Sequence, residues 1–332
     1  MSPTPKTLLT DAGLTAVEAA MRRAVAGTES AAGHIAVEHL ATGGKRLRAR
    51  LALAAVDALG GARDAGVGWA AACELLHNAT LIHDDLQDGD QQRRGHPTVW
   101  ARHGAAQAIN VGDLMLVLPY AVLAEVAVSD IVRWRLCYAL STRTAAVVRG
   151  QADEQELLAK DHVSWADYEQ SVIGKTSALF ELPVLGAALI AGYEQDQATA
   201  LATPFRHLGV LFQMQDDVLD LYGDKGRGLV GSDLYEGKVS CLVVEHTNLH
   251  RDESAALYAL LRTPRATTPA ADVERFVARF RDGGALAAVA ARMQVLRHLI
   301  EEHPALVETP QLVAVTRELV ATMLAPIQNA LA

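Results

Sequence analysis

Two aspartate-rich segments carry the most legible chemistry in this chain: HDDLQD at His83–Asp88 and QDDVLD at Gln215–Asp220. Each places carboxylates at i, i+1 and i+4 in a run that reads as helix. Asp84 and Asp88 therefore share one face, as do Asp216 and Asp220. Like charges at that spacing destabilise a helix by roughly 0.2–0.5 kcal/mol per pair, so something cationic must offset them. Mg²⁺ takes oxygen ligands, typically one or two carboxylates plus substrate phosphates. Two such faces opposed across a cavity make a multi-metal clamp for a diphosphate. A single motif of this kind reads more readily as an acidic helix face in water. Two of them, each beside apolar residues and basic partners, favour the metal.

Two basic clusters lie close to these carboxylates in sequence. In GGKRLRARL, Gly43–Leu51, the pair Gly43-Gly44 breaks the preceding helix, and Lys45, Arg46 and Arg48 follow. A helix starting there adds the positive end of its dipole to the cations and makes an anion site; a solvated basic face is the plainer alternative. QQRRGHPT, Gln91–Thr98, directly follows the first aspartate motif. Arg93 and Arg94 are adjacent, so on an extended loop they point different ways, one for each of two phosphates, and guanidinium suits bidentate phosphate binding. His77 stands two turns before Asp84-Asp85 on the same helix; alone, it reads as a satisfied core histidine. Lys175 sits in an otherwise apolar helix, where an unpaired ammonium is costly to bury, and a diphosphate partner explains it better than snorkelling.

The elements that must position these groups are helices. A 3.6-residue periodicity recurs almost throughout, over 6–26, 34–60, 66–88, 105–128, 130–158, 165–192, 196–222, 238–249, 253–263, 270–281, 283–302 and 310–330. Ser164-Trp-Ala-Asp167 reads as a capping box. The stretches Gly89–Thr98 and Gly223–Gly237, after the two motifs, are rich in Gly and charge and read as irregular loops that serve as lids or phosphate-binding edges. No Pro/Gly/Ser-rich linker divides the 332 residues, half of them apolar, so residues 1–332 read as one large all-α domain.

Composition excludes several classes. A net charge of −9 argues against nucleic acid as a partner. Cys73, Cys137 and Cys241 lack metal-ligand spacing and read as reduced thiols in or near the core of a cytoplasmic protein. The segment MSPTPKTLLT lacks the basic stretch and apolar run of a signal peptide. The most apolar stretch, Leu114–Val128, is broken by Pro119 and Glu125 and reads as too short for a transmembrane segment.

In order along the chain stand GGKRLR, ELLH, LIHDDLQD with RRGHPT four residues on, GKTSALF, FQMQDDVLD and GSDLYEGKVS. This series, from about residue 40 to 245, resembles the trans-isoprenyl diphosphate synthases of the polyprenyl synthetase family. The resemblance implies a helical bundle of the isoprenoid synthase type around a deep central cavity, with both aspartate motifs at its mouth. It implies that Asp84, Asp85, Asp88, Asp216, Asp217 and Asp220 hold about three Mg²⁺ ions that grip an allylic diphosphate. Arg93, Lys175 and Lys238 would neutralise the same diphosphate. Lys45, Arg48, His77 and Arg94 match the isopentenyl diphosphate subsite. Thr176 and Gln213 match residues near the reacting allylic carbon. A homodimer is also implied, with Ile109–Val128 as candidate interface helix; an ordinary buried core helix is the alternative. The sequence departs from the family at Asp224–Lys238, where Leu229-Val230 stand near the place of a common lysine and the loop is one residue shorter than in some relatives. Lys225 and Arg227 are the candidate substitutes. Ser240 stands for a commoner threonine and keeps the hydroxyl.

The physical reading agrees. Ionising an allylic diphosphate leaves a carbocation and a highly charged leaving group, which metals and cations stabilise. The carbocation must be kept from water, and LLHNATLI, Leu75–Ile82, supplies an apolar wall. A terpene cyclase on the same scaffold is a competing reading, but guiding a cation through several positions favours aromatic faces, and only 5% of this chain is aromatic. A non-catalytic subunit of a heteromeric synthase would tolerate loss of carboxylates, yet both motifs are intact. For a tail running down the face of the first aspartate helix, Thr80 and Ala79 lie at the shallow level, about 7–8 Å below the motif for Ala79, and Leu76 lies about 12 Å below. By resemblance, relatives that stop at fifteen carbons carry aromatic rings at that shallow level. Small residues here predict a product longer than fifteen carbons, the twenty-carbon geranylgeranyl diphosphate.

Overall fold

The computed structural model describes residues 9–26, 30–223 and 230–331; Lys225 and Arg227 lie outside them. The helices run in chain order α1 (Leu14–Ala26), α2 (Ala31–Ala41), α3 (Leu47–Ala58), α4 (Arg63–Gln87), α5 (Val99–His103), α6 (Ala105–Glu125), α7 (Asp130–Leu157), α8 (Trp165–Val172), α9 (Ala178–Ile190) and α10 (Gln195–Tyr222). They continue as α11 (Ser232–Tyr235), α12 (Cys241–Leu249), α13 (Ser254–Leu261), α14 (Ala270–Asp282), α15 (Ala285–Glu301), α16 (Pro310–Leu324) and α17 (Gln328–Leu331). The all-α expectation holds. Among the described residues the only strands are β1 (Gln92–Arg93) and β2 (His96–Pro97), an antiparallel hairpin.

Several stretches differ from the sequence reading, among them the expected loop Gly223–Gly237, which contains α11. The span 34–60 is two helices, because the chain turns through Thr42–Arg46 with Gly43 and Gly44 at φ 77° and 138°, where a side chain is strained. The expected loop Gly89–Thr98 contains the hairpin. Its tip, Arg94-Gly95, has positive φ at both residues, 54° and 77°, the twist a two-residue hairpin turn requires. The span 165–192 is interrupted by a π-turn at Ile173–Ser177. The capping box forms as expected: the Asp167 amide donates to Ser164 Oγ, and the Ser164 amide donates to Asp167 Oδ2.

The chain divides into two compact units. The first comprises Met1–Thr144, Leu179–Thr203 and Pro304–Glu318. Its centre is α4, packed on α6, α3 and α1. Trp69 of α4 is fully buried and donates its indole N–H to the Pro183 carbonyl, 2.9 Å away, with its ring laid against Gly186. A β-carbon at Gly186 would fall 2.0 Å from that ring.

The second unit comprises Ala145–Ala178, Pro204–His303 and Leu319–Ala332. There α12 packs on α8 and α15, and Phe276 and Phe280 of α14 are buried. Gly150 of α7 and Gly174 of the π-turn let two backbones meet: a β-carbon on Gly150 would stand 2.2 Å from the Lys175 amide nitrogen.

Cys73 and Cys241 are buried, Cys137 half-buried, and all three are free thiols. Among the described residues, two helical runs reach the length and hydropathy of a bilayer span, Ala105–Glu125 and Trp165–Ile190, both at mean hydropathy 1.4. The first corrects the expectation that this stretch is too short, since α6 continues unbroken through Pro119. The second is 78% buried in protein over its most apolar window, as a core helix is.

Candidate active site

In the first unit, Asp84 and Asp85 occupy the last turn of α4 and Asp88 is its C-cap. The helix dipole is negative there, so three carboxylates at this end need positive charge nearby. The hairpin supplies it. Arg93 Nε and Nη2 both lie 2.6 Å from Asp85 Oδ1, and the Asp85 side chain is 1% exposed. Burial by itself lowers the Arg93 pKa, but the hydrogen bond and charge of Asp85, with Asp84 and Asp90, outweigh it and raise the pKa above its ordinary value. Asp84 and Asp88 are half-exposed.

Arg94 turns the other way, as expected of adjacent arginines. Its guanidinium donates to the Gly43 carbonyl and lies against Gly44, where a β-carbon would fall 2.6 Å from Nη1. The turn at Thr42–Arg46 and the hairpin tip thereby bring Lys45 and Arg94, both exposed, to one place. Arg48 is buried under this turn with its guanidinium 4.7 Å from the Phe180 ring centre. The buried Phe180 ring thus lies under a cation. Burial lowers the Arg48 pKa to about 10, offset in part by Glu74, so Arg48 is a cation at neutral pH.

Glu74 is a residue that sequence reasoning missed, although ELLH contains it. Its Oε2 accepts from the Ala49 amide at 3.1 Å. The α3 N-terminus expected to offer its amides to a phosphate thus already donates one of them to a buried carboxylate. Burial raises the Glu74 pKa, and Arg48 and Arg46 pull it back. His77 is half-buried, and burial followed by the charge of Arg48 holds its pKa well below the ordinary value, so the ring is neutral. Leu76 and Ala79 are fully buried, and the Thr80 hydroxyl donates to the His77 carbonyl at 2.8 Å.

In the second unit, Asp216, Asp217 and Asp220 lie in the last two turns of α10, again at a negative helix end. Asp217 is buried and accepts hydrogen bonds from Tyr168 Oη at 2.8 Å, the Cys241 amide at 2.8 Å and Gln213 Nε2 at 2.9 Å. Asp220 is buried and accepts from Ser232 Oγ and from the Asp233 amide. Asp216 is half-exposed. The π-turn carries Lys175 and Thr176. The Thr176 hydroxyl donates to Gln213 Oε1 at 3.0 Å, so the two residues expected near one reacting carbon are neighbours.

The sequence argument for Lys175 needs correction. It is not unpaired in an apolar helix: its ammonium pairs with Glu154 of α7, so its burial does not by itself require a diphosphate. Lys238 Nζ pairs at 2.8 Å with Glu236, a buried carboxylate that also lies 3.3 Å from Arg265. Ser240 is the N-cap of α12, its Oγ accepting from the Val243 amide, which accounts for a hydroxyl at that position.

Among the described residues, no three His, Cys, Asp or Glu side chains converge on one point. The half-exposed Asp84, Asp88 and Asp216 nevertheless offer hard oxygen donors suited to Mg²⁺, which normally completes its shell with water and phosphate.

The sequence profile of polyprenyl synthetases matches residues 32–279. Geranylgeranyl diphosphate synthase of Mycobacterium tuberculosis is 34% identical over 277 residues, which is 82% of this chain and 79% of that one. The chain belongs to the polyprenyl synthetase family. It is a prenyltransferase, an isoprenyl diphosphate synthase, most like the geranylgeranyl diphosphate synthases. The crystal structure of a polyprenyl synthetase from Streptomyces coelicolor A3(2) has a TM-score of 0.86 at 28% identity, covering 95% of this chain and 98% of that one. A polyprenyl synthase from Caulobacter crescentus, complexed with calcium and isoprenyl diphosphate, has a TM-score of 0.83 at 25% identity, covering 95% of each chain.

Two further residues of the synthase escaped the sequence reading. Glu154 had a signal in the acidic run Asp153-Glu154-Gln155-Glu156. Tyr168 had none, because a tyrosine on an apolar helix face reads as core.

Proposed function

We propose that the synthase condenses isopentenyl diphosphate head-to-tail with an allylic diphosphate in a Mg²⁺-dependent reaction, as one domain over its whole length, and that its product is the twenty-carbon geranylgeranyl diphosphate. The observation that carries this reading is the division among the six aspartates. Asp85, Asp217 and Asp220 are buried, and Asp84, Asp88 and Asp216 are half-exposed. The donors around the buried members hold each motif in place; the half-exposed members are the accessible oxygens that would bind about three Mg²⁺ ions. Support for the ligand class comes from the Caulobacter crescentus enzyme, whose structure holds calcium and isoprenyl diphosphate.

Mg²⁺, when bound, neutralises the diphosphate so that it departs with the electron pair of the allylic C–O bond. Arg93, Lys175 and Lys238 add positive charge to the same leaving group. Lys175 exchanges Glu154 for the diphosphate. Lys45, Arg48, His77 and Arg94 hold isopentenyl diphosphate, whose alkene attacks the allylic carbon; Thr176 and Gln213 flank that carbon. The departing pyrophosphate takes the proton lost from the new chain. Ala79 and Thr80 leave the shallow level open to a tail longer than fifteen carbons, and Leu76 forms part of the next floor.

The synthase acts as a cytoplasmic homodimer in this reading. The first unit exposes Ile109 and Val117 on α6, 48% and 59%, and Trp134 and Tyr138 on α7, stacked at 5.5 Å and exposed at 61% and 53%. The α6 residues lie in the run expected at the interface; the α7 residues extend it. Incubation with isopentenyl diphosphate, an allylic diphosphate and Mg²⁺, followed by measurement of product length, tests the reading. A cyclic product, or no product from the pure protein, would overturn it.

A further inference from the structure

Asp217 controls more than its own position. A carboxylate only accepts hydrogen bonds, so the Gln213 side chain must present its NH₂ to Asp217 Oδ1 and its oxygen to the other side. That oxygen faces Thr176, whose hydroxyl proton is therefore drawn to Gln213. The Thr176 oxygen is left to present lone pairs, not a proton, to anything else it meets. On the far side of the carboxylate, Oδ2 is held by Tyr168 Oη and by the amide of Cys241, the first residue of α12. Tyr168 is itself tightly placed. It stands one turn into α8, whose start is set by the capping box, and the Trp165 ring meets it edge-on at 5.6 Å. It is 3% exposed. A phenol keeps its proton at neutral pH, so Tyr168 is the donor in this contact.

We infer that Tyr168 is a positioning residue for the allylic centre: by fixing Asp217 it sets the amide of Gln213 and, through it, the direction of the Thr176 hydroxyl. This rests on the reading above that Thr176 and Gln213 flank the reacting carbon. Positive charge that develops on that carbon then meets an oxygen lone pair rather than a hydroxyl proton, an orientation that helps only in the transition state. Tyr168 touches neither substrate. Its loss lowers turnover and leaves substrate binding alone.

The test is a double-mutant cycle on the full-length protein. Tyr168→Phe, Thr176→Val and the double variant are assayed for kcat and for KM of both diphosphates, with thermal melting of each. Tyr168→Phe is expected to lower kcat roughly ten-fold with both KM values within about two-fold of wild type. The double variant should be no slower than the slower single one, because the two residues act through one chain. Wild-type kcat in Tyr168→Phe, a rise in KM alone, or kcat losses that multiply in the double variant would overturn the inference. If Tyr168→Phe does not fold, Asp217→Asn reads the same link, since an amide can also accept and so releases Gln213. It must then show the same lack of additivity with Thr176→Val, and multiplicative losses there overturn the inference equally. Absence of condensation by the wild-type protein overturns the proposed function instead.

Discussion

Lys175 of the π-turn is ion-paired with Glu154 of α7, with only 18% and 25% of the two side chains exposed. In the absence of diphosphate, Glu154 is the counter-charge for this lysine. Opposite effects on allylic substrate binding follow. Lys175→Ala should weaken an unreactive allylic diphosphate analogue by roughly 10- to 150-fold, the worth of one charge-assisted contact. Glu154→Gln removes the competitor and should tighten the analogue. Titration calorimetry in the presence of Mg²⁺ decides, and weaker binding in Glu154→Gln would show that the carboxylate helps to hold the ligand.

The half-exposed aspartates should matter most for metal. EDTA should abolish activity, and Mg²⁺ or Mn²⁺ should restore it. Asp84→Ala and Asp216→Ala should each cut turnover by orders of magnitude while far-ultraviolet circular dichroism stays unchanged. Wild-type-like turnover in either variant removes the metal assignment.

The anion subsites should separate by substrate. Arg94→Ala and Lys45→Ala should mainly raise KM for isopentenyl diphosphate, by roughly 10- to 150-fold. Arg94 lies on Gly43, so Gly44→Ala, which drives a β-carbon into its guanidinium, should give the same phenotype. A uniform, substrate-independent defect across these variants would show that there is no division into subsites.

Chain length should respond at Ala79. Ala79→Phe puts a ring about 7–8 Å below the aspartate motif and should shift the product to fifteen carbons or fewer. Leu76→Ala should admit some longer product. Chromatography of the dephosphorylated alcohols reads both. Unchanged chain length at near-normal rate in Ala79→Phe would mean that the tail does not pass this face of α4.

One prediction is independent of function. A β-carbon on Gly186 would stand 2.0 Å from the Trp69 ring. Gly186→Ala should therefore destabilise the protein by about 1–3 kcal/mol, the range for overpacking a filled core, seen as a lower denaturant midpoint. An unchanged midpoint would show that Trp69 has room to move.

Local patterns made much of this protein legible. Helix positions follow from 3.6-residue periodicity, because each helix writes its buried face into its own sequence. The aspartate pairs, the Arg93-Arg94 step and the Ser164–Asp167 cap are also short-range: spacing alone puts their groups on one face or one turn. Partners distant in sequence were not legible. Nothing in the sequence pairs Lys175 with Glu154, 21 positions away, or Tyr168 with Asp217, 49 positions away, since which helices pack together is decided by complementary surfaces and not by either helix. The six aspartates look alike in sequence. Tertiary packing divides them by burial: Asp85, Asp217 and Asp220 are buried among donors brought in by folding, and Asp84, Asp88 and Asp216 are half-exposed. The sequence by itself determined the all-α class, the family and the identity of the charged groups; the tertiary structure decided which carboxylates are buried and which stay accessible to solvent, because only folding sets what each group loses in water and what it gains in return.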